Sequence, residues 1–406
     1  MATSSQKQRA YTGPAIFSYG FRPLFLLAGI WGFLAMLLWI LMLQGLISLP
    51  LATGPVDWHV HEFLFGYLSA VIAGFVLTAV PNWTGRLPII GAPLAGLVAL
   101  WLAGRLVMAM SDLLPFWLVG LVDSAFLLAL WLAVLREVLA GRNWRNLPVA
   151  GIIGLILLAN ILFHVETAQS GAPAQGLGSH LAIAAVVLLI ALIGGRITPS
   201  FTRNWMAKNA PGGSLPHPAD RADMAILLLT AISLAIWLFL PEGVFTGVVL
   251  MLTGLANFWR LSRWSGHHCR AEPLVWILHV AFAFIPLGFL LLGAALIWPD
   301  MLPPTGMMHS WLAGAFANMT LAVMTRAALG HTGYALVAGP GITLIYLAIL
   351  SAAFLRLAAA FWPADPWLIP LSGTGWMLAY GLFVVIYAPL LMRPKKAPKA
   401  PNRRAG

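Results

Sequence analysis

The sequence predicts an all-α, polytopic membrane bundle of about twelve helices, and three observations carry that expectation. First, 61% of the 406 residues are hydrophobic and only 9% are charged. A soluble domain has roughly a quarter of its residues charged, so this chain lacks the charge to wrap a water-facing surface around a core. Second, the apolar residues fall into twelve runs of bilayer-crossing length: 24–45, 60–80, 92–110, 113–136, 147–166, 177–198, 222–240, 243–262, 273–297, 308–329, 341–362 and 367–392. A spanning helix needs about 20 such residues. Third, the segments between the runs alternate in charge. One set carries Lys7 and Arg9; Arg86; Arg136, Arg142 and Arg145; Arg196, Arg203, Lys208 and Arg221; Arg260, Arg263 and Arg270; Arg326; and six basic residues in the tail. The other set has no Lys or Arg and holds Asp57, Asp112, Glu166, Glu242, Asp300 and Asp365.

Basic residues stay on the cytoplasmic side of a membrane, so both termini are expected in the cytoplasm. The net charge of +11 therefore reflects topology and does not point to nucleic acid. Residues 1–20 are polar and precede a full-length apolar run, which argues against a cleaved signal peptide. Residues 21–392 are expected to form a single transmembrane domain. Residues 393–406 form a basic, Pro-rich cytoplasmic tail suited to anionic lipid. The longest loop, about 199–221, is Pro/Gly-rich and lies on the basic side. Cys269 is the only cysteine, which excludes an intrachain disulfide.

Ionisable groups at membrane depth are costly and mark candidate sites. Five of the ten histidines, His59, His61, His164, His180 and His309, fall near the non-basic ends of four different spans. Imidazole is the commonest transition-metal ligand. Histidines on facing helices at one depth suit a haem or copper site. The cluster Trp58-His59-Val60-His61-Glu62 places two imidazoles and a carboxylate in four residues, a costly group to desolvate without a cation or partner. Side chains two residues apart point about 200° from each other on an ideal helix. His59 and His61 thus share one ion only if the first turn is distorted, and otherwise serve two sites. His164 follows Asn160 by one turn, giving its helix a polar face. His309 follows Met307 and Met308. A bound metal is expected among His59, His61, His164 and His309.

On the basic side, His279 and His331 are candidates for a second site or for haem ligation. Gly266-His267-His268-Cys269 reads as a surface loop. Arg105, Arg356 and Asp123 lie within spans. Buried arginines need carboxylate partners, which haem propionates or Asp123 would supply. Arg22, Arg86 and Arg326 are accounted for by topology alone. An internal echo runs through the chain: His61, His180 and His309 open spans two, six and ten, 119 and 129 residues apart. Thr84-Gly85-Arg86, Thr202-Arg203 and Thr325-Arg326 stand near the other ends of those spans. Three four-helix units follow from this, the plan of haem–copper oxidase main subunits. That analogy of fold transfers no function.

Along nearly its whole length the chain resembles the NnrS family of haem- and copper-containing membrane proteins associated with nitric oxide metabolism. The strings that carry the resemblance are Phe17-Ser18-Tyr19-Gly20-Phe21-Arg22-Pro23, Trp58 to Glu62 continuing through Phe65-Gly66, and Thr78 to Arg86. Gly194 to Trp205, Val323-Met324-Thr325-Arg326-Ala327 and Gly330-His331-Thr332-Gly333 complete the set. His59, His61, Glu62, His164, His279, His309 and His331 fall in motif positions by this resemblance. His180 does not. Ala281-Phe282 departs from the family's usual Gly-Tyr after the ninth-span histidine.

The expected function is therefore a membrane protein with b-type haem and copper that binds nitric oxide or a related small nitrogen oxide. It would bind and reduce such a species, or protect against nitrosative stress. No Cys-x-x-Cys-His string is present, which excludes c-type attachment. Glu62 is the candidate catalytic carboxylate. Glu62, Glu166 and Asp57 place the expected proton supply on the outer side, and a quinol or a periplasmic donor would bring electrons. The alternatives are a secondary transporter or copper permease, for which broken helices and midplane charge would speak, and an accessory protein that assembles another enzyme.

Overall fold

The computed structural model describes residues 11–210 and 212–396; Lys7, Arg9 and the tail beyond residue 396 lie outside the described residues. The structure is 80% helical with no strands among the described residues. Each of the twelve apolar runs is a helix. In chain order these are α1 (Phe21–Leu43), α2 (Pro55–Thr84), α3 (Ala92–Ala109), α4 (Phe116–Ala140), α5 (Trp144–Ser170), α6 (Leu177–Asn209), α7 (Arg221–Phe239), α8 (Val244–Ser262), α9 (Pro273–Ile297), α10 (Pro304–Thr332), α11 (Pro340–Phe361) and α12 (Leu368–Met392). The chain is a multi-pass membrane protein. Alternation of the helices gives the bundle a basic end and an opposite end, here called the histidine end.

Consecutive helices pack on one another, and α12 returns against α1 to close the ring. Arg22 fastens that closure. Its guanidinium donates to the carbonyls of Leu391 (2.8 Å) and Arg393 (2.6 Å), oxygens that a helix terminus leaves without intrahelical partners. Charge bias alone thus does not account for Arg22. Nor does it account for Arg86, which pairs with Glu137.

Helices α2, α6 and α10 occupy the centre and touch one another. Their apolar windows are 83, 78 and 83% buried, against 33–56% for the other nine. This is the internal echo made physical, because the three helices that carry the repeated motifs are shielded from lipid by the rest. Shielding also explains where the expected spans fell short. The apolar runs 60–80, 177–198 and 308–329 become helices running to Thr84, Asn209 and Thr332. A central helix can carry polar residues at its ends without exposing them to hydrocarbon.

Two central helices share a further irregularity. Directly after His61 the backbone of α2 opens into a π-helical turn over Glu62–Tyr67, and after His309 α10 does the same over Ser310–Phe316. Such turns re-aim side chains and concentrate at functional sites. Helix α9, by contrast, stays helical through Pro286. Gly288 there is a packing glycine: a Cβ at that position would meet Trp311 Nε1 at 2.2 Å.

Candidate functional site

Four helices converge on His61 at the histidine end. Its Nδ1 lies 3.0 Å from Glu62 Oε1, and its Nε2 lies 3.0 Å from Asp123 Oδ2. Asp123 projects from α4, whereas Asn160 and His164 come from α5. One helical turn separates the last two, so they share a face. Asn160 Nδ2 donates to Asp123 Oδ2 at 2.8 Å, and His164 Nε2 stands 3.1 Å from the same oxygen. Arg105 from α3 bridges the two carboxylates. Its Nη1 donates to Glu62 Oε2 at 2.5 Å, and its Nη2 donates to Asp123 Oδ1. Trp31 Nε1 also donates to Glu62 Oε2, at 2.8 Å. The π-helical turn and Gly66 make room for this bridge, since a Cβ on Gly66 would meet Arg105 Nη1 at 2.3 Å.

The charge of this network does not close on itself. Two buried carboxylates face one guanidinium, which leaves one negative charge when both imidazoles are neutral. Moreover, His61 has a carboxylate oxygen at each ring nitrogen, while a neutral imidazole has a single N–H. A second proton on the ring or a metal ion at Nε2 would satisfy both contacts; the neutral donor at Nε2 is the Asn160 amide, at 3.3 Å. Ligand atoms of His61, Asp123 and His164 all lie within 4.8 Å of one another, a separation that one ion can span. An Nδ1–H donated to Glu62 would leave Nε2 as the ligand, the usual carboxylate–histidine–metal arrangement.

His59 sits on the other side of α2, as its spacing from His61 requires in a regular first turn. The ring stacks on Trp39 (centroids 4.4 Å, 21°) and against Phe63 (4.7 Å). Its Nδ1 is buried with no hydrogen-bond partner. His309 Nδ1 donates to the Thr305 carbonyl at 2.8 Å, which leaves Nε2 available. Arg356 acts electrostatically on both rings, and among the described residues it has no ion pair or hydrogen bond. The histidine end thus holds one group of imidazoles in contact, His61 with His164 (ring centroids 5.4 Å), and His59 and His309 stand outside it.

The remaining expected residues part company. His180 packs edge-on against Trp237 and joins neither group. His279 Nε2 is 2.7 Å from Thr202 Oγ1, whereas the His331 ring lies 5.5 Å from those of Tyr19 and Phe21. Their surroundings are separate, and they do not form a common site. Asp57 accepts from the Ala174 amide and Glu166 from the Gly178 amide, so both carboxylates anchor backbone. Arg105, for which haem propionates and Asp123 were the two expected partners, is bound by Asp123 and also by Glu62.

Asp123, foreseen as an arginine partner, also joins the donor set, a role the sequence did not suggest. A second feature that escaped sequence reasoning is a cavity of about 1370 Å³ at the basic end, walled by α1, α2, α6 and α10. Its signal was the set of polar motif strings at the basic ends of spans two, six and ten. Between the cavity and the histidine end lies a hydroxyl cluster, with Tyr67 Oη 2.5 Å from Tyr380 Oη and 2.6 Å from Thr320 Oγ1.

The family model described as NnrS protein matches residues 15–395. The chain belongs to the NnrS family. The match takes in all twelve helices, the His61 network and the basic-end cavity. Comparison with curated proteins found no match.

Proposed function

We propose that this NnrS-family protein is a haem- and copper-containing protein of the bacterial cytoplasmic membrane, with both termini in the cytoplasm. It would bind nitric oxide or a related small nitrogen oxide and protect against nitrosative stress, by sequestration or by reduction. The observation that carries this reading is the convergence of His61, Asp123 and His164 around an uncompensated negative charge. Two imidazoles and a carboxylate suit copper, so the residues present fit that ion. Haem, when bound, supplies an iron that takes nitric oxide in its reduced state.

The chain's own part is positioning and charge. Glu62 fixes the orientation of His61 and, with Asp123, holds Arg105. His164 is the partly exposed member of the network, which makes it the entry for protons from the outer face. Arg356, which has no ion pair or hydrogen bond among the described residues and acts electrostatically on His59 and His309, favours an anionic group near them. Electrons would arrive from a quinol in the bilayer or from a periplasmic carrier.

The test is metal analysis of the purified chain and of His61→Ala and His164→Ala variants. About one copper per chain is expected in the parent, with nitrogen hyperfine structure in its Cu(II) resonance, and loss of that copper in each variant that remains monodisperse. Copper retained by both variants would refute the assignment, as would a parent that takes up none on reconstitution.

A further inference from the structure

The basic-end cavity is sunk between the ends of the three central helices, and its walls define what it can hold. Phe25, Phe75 and Phe201 give it apolar, aromatic sides. Three cations line it, Arg196, Lys208 and Arg326, against one carboxylate, Glu272. Glu272 Oε1 already accepts the backbone amides of Leu274 and Ala338, each at 3.1 Å. Arg196 is held in place by Asn146 Oδ1 at 2.9 Å.

Arg326 decides the chemistry. It is only 9% exposed, and its guanidinium lies 4.1 Å over the Phe201 ring. Among the described residues it has neither an ion pair nor a hydrogen bond. A buried guanidinium without an acceptor is costly, and this one borders open space. An anion in the cavity would relieve that cost. The imidazole of His331 lines the same cavity with no hydrogen bond on either nitrogen among the described residues, so it is free to ligate. The volume exceeds the ~300–1,000 Å³ of ordinary small-molecule pockets. A planar, largely apolar ring system with carboxylates on its edge and a metal that takes a nitrogen ligand meets all of these demands. A neutral quinone accepts hydrogen bonds from such groups but brings no negative charge to offset the cations and no metal for the imidazole.

We infer that this cavity is the haem site, with His331 as the axial ligand and Arg326, assisted by Arg196, receiving the propionate carboxylates. The inference rests on the haem-containing reading proposed above and places the macrocycle at the end of the bundle opposite the His61 network. The histidine-end rings are closely engaged by neighbours: His61 is bonded at both nitrogens, and His59 is flanked by Trp39 and Phe63.

The experiment is hemin titration and haem quantification on the full-length chain in detergent. His331→Ala is expected to lose most of the haem and to alter the Soret band, and imidazole added to His331→Gly is expected to restore it. Arg326→Gln should bind hemin about tenfold more weakly, the scale of one charge-assisted hydrogen bond, with Arg326→Lys intermediate. His279→Ala should keep its haem. Full haem with an unchanged spectrum in both His331→Ala and Arg326→Gln would overturn the inference, as would loss of haem from His59→Ala or His309→Ala instead. If His331→Ala fails to fold, the Arg326→Gln titration and the His331→Gly rescue decide. A parent chain that takes up no hemin at all refutes the haem-containing reading itself, and one that binds a quinone analogue in its place reassigns the cavity.

Discussion

Arg105 at the histidine end and Arg326 at the basic end are both deeply buried arginines, at 5% and 9% exposure, and their surroundings are opposite. Arg105 is clamped between Glu62 and Asp123. Arg326 faces an aromatic ring and a cavity. Burying a charge costs several kcal/mol unless a partner offsets it. At one end the protein supplies that partner from its own helices and is left with surplus negative charge, which suits a cation. At the other the carboxylate lining the cavity, Glu272, is bonded to backbone amides and makes no ion pair with the guanidinium, and three cations leave surplus positive charge, which suits an anion. Two similar residues thus mark two kinds of site, and the difference lies in the carboxylates around them.

That contrast can be broken most directly at the paired arginine. Arg105→Met leaves two buried carboxylates with no guanidinium and should destabilise the protein by about 3–5 kcal/mol, read from thermal unfolding in detergent. Arg326→Met, by contrast, replaces an unpaired buried cation with an apolar side chain. The ligand-free protein should then be no less stable than the parent. Equal losses in the two variants would erase the distinction between the two ends.

A second test is Asp123→Asn, which keeps the shape of the network and removes one negative charge. Copper affinity should fall at least about tenfold, measured by competition with a chelator. Gly66→Ala addresses the geometry, since the added Cβ collides with the Arg105 bridge. A cost of about 1–3 kcal/mol is expected, as for other overpacked interiors, and copper retention should fall with it. The smallest effect belongs to the hydroxyl cluster between the two ends. Tyr67→Phe deletes its bonds to Tyr380 and Thr320 and should cost about 1 kcal/mol while leaving haem and copper content unchanged. A change in either content would mean that the two ends communicate through this layer.

The separation of His59 from His61 was legible in the sequence, because two positions on a regular helix point apart and the first turn of α2 is regular up to His61. The π-helical turn that follows was not legible, for nothing local distinguishes Glu62–Tyr67 from an ordinary helical stretch. Asp123 was visible as a carboxylate inside a span. Its pairing with Arg105 was one of two stated alternatives, but its meeting with His61 and His164 was not legible, since that depends on how α4 and α5 approach α2. The basic-end strings were visible as motifs too, but their convergence on one cavity follows from α2, α6 and α10 being central. Arg326 was read as one more inside positive charge, when in fact it is buried and unpaired.

What the sequence determined by itself was the number of spans and the alternation of charge between their ends. A span is a local property, an apolar length matched to a bilayer, and it can be counted without knowing its neighbours. Only the tertiary structure decided which helices are enclosed, which imidazoles share a partner and which buried arginine lacks one. Those outcomes depend on contacts between residues up to hundreds of positions apart, and helix packing sets them, not any property of the segments taken singly.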